Sequence, residues 1–236
     1  MEHPLTICHG SQKIIRTPIF GEGNPRNDYG LGFYCTEKLS LAKEWACNEE
    51  NSGYANVYRL DLSGLTVLNL SGEHYHILNW LSILLQNRVF KIANDIAAEG
   101  RDYLLERFLP DYQLYDIIIG YRADDSYFSF ANAFLNNTLS LTQLEKAMYL
   151  GKLGEQIVLK SQKAFRHISF QEAVAAEKEI YFPKKSARDM EARDTYRRER
   201  KNRRASSDIY LIDILREEWK ENDPRLRRNL PQRCHE

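Results

Sequence analysis

The sequence predicts an α+β protein, and three observations carry that prediction. Residues 5–11 and 54–62 alternate with a period of two, as half-buried strands do. Ile77, Leu78, Leu81, Leu84, Leu85 and Val89 fall at helical spacing and form one apolar stripe. Leu114 to Ile119 is a short isoleucine-rich run between Pro110 and Gly120, too short for a helix and suited to a buried strand.

Taken in order, Leu5 to Ser11 opens the chain as a strand with Leu5, Ile7 and His9 on one face, and Gly10 permits a turn. Residues 16–30 hold Pro18, Gly21, Gly23, Pro25 and Gly30 without periodicity, a long connection of the kind that often carries function. Asp28 to Thr36 then leads through Gly30 and Gly32 into a short strand. Phe33 and Tyr34 leave that strand on opposite faces, so one ring enters the core while the other lines a cleft. Leu41, Ala42, Trp45 and Ala46 predict a helix from about Glu37 to Glu50. Strands follow at Tyr54 to Leu62 and Leu65 to Leu70, and then helices from about Glu73 to Phe90 and from about Ile92 to Phe108. After the isoleucine run, Arg122 to Ser126 interrupts the strand and a helix is expected from about Ser126 to Asn136. Ser140 and Gln143 have capping-box spacing and start another helix that ends near Gly151. Gly154 to Ser161 is a strand, and Ile168 to Phe170 a last small one.

Composition shifts after Phe182-Pro183. Residues 184–204 carry ten Lys and Arg against four acids, a net of +6. Such a run is ordinarily a solvated helix; its functional reading is contact with an acidic or polyanionic partner. Ile209, Ile212, Leu215 and Trp219 mark a final amphipathic helix before a polar tail from Asn222. Residues 1–171 therefore read as the main domain and 172–236 as a basic helical extension.

Overall charge is balanced, 33 Lys and Arg against 33 Asp and Glu, so no global field points to nucleic acid or a membrane. Four scattered cysteines without metal spacing suit a reducing compartment and give no metal site. His74 and His76 diverge on a helix and are assigned no metal. No segment reaches the roughly 18 apolar residues of a membrane span. The first residues, Met1 to Pro4, lack the regions of a signal peptide. The expected location is cytoplasmic, or outside the cell by a route without a cleaved signal.

Three short strings stand out along the chain: His9-Gly10-Ser11, Gly32-Phe33-Tyr34, and Glu155-Gln156-Ile157-Val158. In this order they resemble the ADP-ribosyltransferase superfamily of the His-Tyr-Glu type. The wording is closer still to DUF3990, a bacterial family of that clan. Its pattern is similar to Asp28 to Thr36, to Asp116 to Asp125, and to Gln156-Ile157-Val158 here. The resemblance covers about residues 5–170.

It implies a split β-sandwich of two small antiparallel-rich sheets with surrounding helices. It implies NAD as substrate, with no metal. His9 would hold a ribose hydroxyl, Gly10 and Ser11 the nicotinamide end, and Gly32, Phe33 and Tyr34 the second wall, with Tyr34 stacking on the nicotinamide ring. The catalytic position would be Gln156 or Glu155, which as strand neighbours face opposite ways. A glutamine there orients the ribose but lacks the negative charge of the active pattern. Two functions follow. One is mono-ADP-ribosyl transfer to a macromolecule, a protein in the favoured case or else a nucleic acid, as in a bacterial toxin or effector. The other is a weak or inactive module of the same fold that binds a nucleotide or a protein partner. Asp124 and Asp125 recur in the family but read as a helix start that shapes the cleft, not as catalytic groups.

Overall fold

A computed structural model describes residues 4–123, 125–150, 155–201 and 208–227. The protein is α+β, with two sheets and, among the described residues, eight α-helices. The first sheet joins β1 (Leu5–Ser11), β3 (Gly53–Leu60) and β7 (Ile168–Ala176) in the order β1-β3-β7, all antiparallel. The second sheet has the order β2-β6-β5-β4, from β2 (Phe33–Cys35), β6 (Glu155–Leu159), β5 (Ile117–Tyr121) and β4 (Val67–Asn69). Only β4 and β5 run parallel in it. That pair needs a crossover, supplied by α2 (Ile77–Asn87) and α3 (Asp95–Arg107).

The two sheets share one apolar cluster. Ile7 of β1 and Tyr58 and Leu60 of β3 meet Phe33, Cys35, Ile117, Ile157 and Leu159 of the second sheet. Strand alternation then sends the intervening residues the other way. Cys8, Ala55 and Val57 pack with Ala42 of α1 (Leu39–Ala46). Ile118 and Val158 join a larger cluster with α2, α3, α4 (Asp125–Leu135), α5 (Leu141–Leu150) and α8 (Leu211–Arg216). At one edge the sheets are stitched by a single bridge. Cys8 N donates to Thr36 O at 2.7 Å, and Thr36 N to Cys8 O at 2.9 Å.

Most expected elements form, with shifts that have local causes. The helix expected from Glu37 to Glu50 stops at Ala46. Asn48 Oδ1 accepts from the N–H groups of Glu50 and Asn51 at 3.0 and 2.7 Å, and this side-chain turn competes with the helix. The helix expected from Glu73 starts at Ile77, because Asn79 Oδ1 takes the His76 N–H at 2.9 Å and caps it there. The Ser140 capping box forms: Gln143 Oε1 accepts from Ser140 N at 2.9 Å, and Ser140 Oγ from Gln143 N at 3.3 Å. The small strand expected at Ile168 to Phe170 continues to Ala176, pairing along the whole of β3. Its second half is partly exposed and lacks a clear apolar pattern. The basic run lies largely on one long helix, α7 (Lys178–Lys201). Asp124, Gly154 and Arg203 to Arg204, named in the sequence reading, lie outside the described residues. Among those described, no helix is long and apolar enough to cross a membrane.

Candidate active site

The second sheet's outer face, the face of Val158, is where the candidate residues gather. Tyr34 pairs with Val158, and Gly120 with Gln156, so Tyr34 and Gln156 project to the same side. Phe33 leaves β2 on the other side and stacks on His9, with ring centroids 4.3 Å apart. The division of the two aromatics between core and cleft is thus the one the alternation predicts.

His9 stands at the seam between the sheets. Its Nδ1 lies 2.7 Å from the carbonyl oxygen of Tyr34. A carbonyl only accepts, so Nδ1 carries the proton and Nε2 is left as an acceptor. Burial pushes the imidazole pKa down against the pull of that hydrogen bond, which keeps the ring neutral. Gly10, next along β1, lets the sheet lie directly against α1. A Cβ there would come within 2.1 Å of the Ala42 carbonyl oxygen.

Tyr34 is held at its far end. Its hydroxyl donates to Gly30 O at 2.6 Å and accepts from Tyr29 N at 3.1 Å. Burial pushes its ionisation far up, so it is a neutral ring at every ordinary pH. Gly30 turns with φ of +73°, in the left-handed region that favours glycine. Lys160 Nζ donates to the carbonyls of Tyr29 and Leu31 and pins the same loop from β6.

Beside Tyr34 lies a carboxylate. Asp28 is 5 % exposed. Its Oδ1 accepts from Arg88 Nη1 at 2.9 Å, and its Oδ2 from Ala123 N at 2.8 Å and Gln156 Nε2 at 3.2 Å. Burial pushes its pKa up; the Ala123 N–H and the Arg88 guanidinium pull it back down. Gln156 is equally buried, and its Oε1 has no hydrogen-bond partner among the described residues.

These groups line one cavity of about 350 Å³. His9, Gly10, Tyr34 and Gln156 of the sequence-derived set are in its wall. Ser11, Gly32, Phe33 and Glu155 are not. Ser11 Oγ caps the turn at Lys13, and Gly32 lies against Val158, where a Cβ would approach to 2.7 Å. Glu155 is exposed and borders a separate depression with Thr36, Glu37 and Lys38.

Sequence reasoning did not single out the rest of the wall: Asn27, Asp28, Trp45, Arg88, Arg122, Ala123, Lys185 and Asp189. Asp28 heads the motif that ends at Thr36, which was a usable signal. Arg88 closes the C-terminal end of α2. Arg122 follows β5 and lies over the Trp45 ring, 4.2 Å from its centroid. Lys185 and Asp189 are one turn apart on α7. That helix is clamped to α1 by Arg188, which reaches the two oxygens of buried Glu44 at 3.2 and 2.9 Å. The C-terminal segment therefore supplies part of the cavity wall. Three cations, Arg88, Arg122 and Lys185, and two carboxylates, Asp28 and Asp189, border the cavity.

The arrangement offers an aromatic face, a neutral imidazole acceptor, an amide acceptor and an excess of positive charge. Cys8 and Cys35 are buried, and burial holds both thiols protonated, which disfavours thiolate chemistry. Among the described residues no group of three or more His, Cys, Asp or Glu is placed to hold a metal ion.

Residues 5–170 match the model of a family described as a protein of unknown function, DUF3990. The chain belongs to DUF3990. No curated protein matches it, and no solved structure does. The DUF3990 segment ends inside β7, so Lys185 and Asp189 join the cavity from beyond it.

Proposed function

We propose that the cavity binds NAD and that the protein transfers ADP-ribose from it to a macromolecular acceptor, a protein rather than a nucleic acid. The observation that carries this reading is the convergence of His9, Tyr34 and Gln156 on one cavity that Arg88, Arg122 and Lys185 also border. Each group suits a part of the ligand. His9 Nε2 can accept from a ribose hydroxyl. Gly10 gives close backbone access to the nicotinamide amide. Tyr34, its hydroxyl already engaged, offers its ring face for stacking, worth about 0.5–1.5 kcal/mol beyond burial. The cations suit the diphosphate. The two sheets with a shared core and a single stitched edge suit an ADP-ribosyltransferase-like split sandwich.

In the reaction the bond between ribose C1′ and the nicotinamide nitrogen breaks. Its electron pair goes to the ring nitrogen, which loses its positive charge, and C1′ becomes cation-like. A lone pair of the acceptor then bonds to C1′, and the acceptor's proton passes to solvent. His9 and Gln156 would hold the ribose, and Tyr34 would orient the leaving ring. Such an enzyme would act as a toxin or effector.

A second reading is favoured by one observation. The strand position that lines the cavity is the amide Gln156, while Glu155 borders a separate depression. A binding module without turnover fits that chemistry. Free nicotinamide measured after mixing protein with NAD, with and without lysate, separates the two. Release that rises with lysate and disappears in Tyr34→Ala is the expected result. NAD bound without release would leave the binding module, and NAD affinity unchanged in Tyr34→Ala would remove the reading of this cavity as an NAD site.

A further inference from the structure

Gln156 does not stand alone in the cavity wall. Its amide Nε2 donates to Asp28 Oδ2 at 3.2 Å, and Oε1 is turned the other way. That oxygen is buried and has no partner among the described residues. A buried acceptor left unsatisfied is unfavourable unless a ligand donor completes it. Asp28 is arranged asymmetrically around this amide. Its Oδ1 faces Arg88, which opposes the upward push of burial on its pKa, and its Oδ2 faces Gln156. The backbone N–H of Ala123 fixes the same oxygen and hence the carboxylate plane.

We infer that Asp28 is the positioning residue of the site: it locks the Gln156 amide so that Oε1 accepts from a ligand hydroxyl, and it supplies through that amide the negative charge that glutamine lacks. The inference rests on the reading of the cavity as an NAD site. A hydrogen bond from Nε2 to a carboxylate polarises the amide and strengthens Oε1 as an acceptor. The effect grows as C1′ becomes cation-like, so it acts on the reaction more than on binding. The hydroxyl proton stays on the ribose, shared with Oε1. No further proton or electron moves.

The test uses the full chain with NAD alone, following binding by calorimetry and nicotinamide release by chromatography. Asp28→Asn is expected to bind NAD within about threefold of wild type and to release nicotinamide at least about tenfold more slowly. In a Gln156→Leu background the Asp28→Asn change is expected to produce no further loss, because the carboxylate acts through that amide. Should Asp28→Asn not fold, Gln156→Glu decides. It sets a second carboxylate against Asp28, and its pH–rate profile is expected to show an ionisation above about pH 5. Wild-type protein that binds no NAD would remove the NAD reading and this inference together. Binding with no release by the wild type would remove the transfer reaction and this inference together, whereas release by Asp28→Asn at the wild-type rate, additive losses in the double variant, or a Gln156→Glu profile without that ionisation would each overturn Asp28's role alone.

Discussion

Arg88 Nη1 lies 2.9 Å from Asp28 Oδ1, and the two residues are 60 positions apart in the chain. The pair joins the end of α2 to the loop that leads into β2, in the wall of the cavity. Its partners are largely dry, with side chains 21 and 6 % exposed. The guanidinium also lies 4.5 Å from the centre of the Phe128 ring. A buried ion pair is weak evidence of net stability, but removing one partner leaves a buried charge uncompensated. Arg88→Met is expected to destabilise the protein by about 3 kcal/mol, and Asp28→Asn with Arg88→Met by less than the sum of the two. Urea unfolding of the three variants checks this, and additive losses would contradict it.

Tyr34 has two roles that substitution can separate. Its hydroxyl ties down Gly30 and Tyr29, while its ring faces the cavity. Tyr34→Phe is expected to lower stability by about 1–2 kcal/mol through the lost hydrogen bonds, with NAD affinity largely kept. A stability loss absent from Tyr34→Phe in thermal melts would place the loop's anchorage elsewhere.

Gly10 sets the distance between β1 and α1. A Cβ would meet the Ala42 oxygen at 2.1 Å, the Ala46 nitrogen at 2.8 Å and the Trp45 Cβ at 2.8 Å. Backbone atoms cannot swing aside as a flexible side chain can. Gly10→Ala is expected to cost about 1–3 kcal/mol and to push Trp45 and His9 apart at the cavity. Trp45 fluorescence and melting temperature, both unchanged, would refute the contact.

Glu145 lies on the buried face of α5, 5 % exposed, with one oxygen unpaired among the described residues. Burial pushes its pKa up to about 7. The folded state therefore holds a proton that the unfolded chain releases at ordinary carboxylate values. This contribution is fully present below the unfolded pKa and is lost as pH rises through about 7. Glu145→Gln removes the ionisation. It is expected to gain on wild type by on the order of 2 kcal/mol between pH 5 and pH 8. Melting curves of the two proteins that stay parallel across that range would show that Glu145 is not held protonated.

The sequence by itself determined the alternation of the strands and therefore which neighbours part company. Phe33 and Tyr34 leave their strand on opposite sides, and Gln156 and Glu155 face opposite ways, because a strand's side-chain period is two whatever it packs against. It also determined the Ser140 capping box, since that device is closed within one turn. Only the tertiary structure decided which of Gln156 and Glu155 faces the cavity. A period identifies two faces but not which one a helical layer will cover. The half-exposed end of β7 carries little apolar contrast, so its length was set by pairing with β3 rather than by its own residues. Asp28, Arg88, Arg122 and Lys185 meet across long stretches of chain. A charged residue looks the same in sequence whether solvated or paired, and its role is fixed only when folding brings a partner to it and removes the water between them.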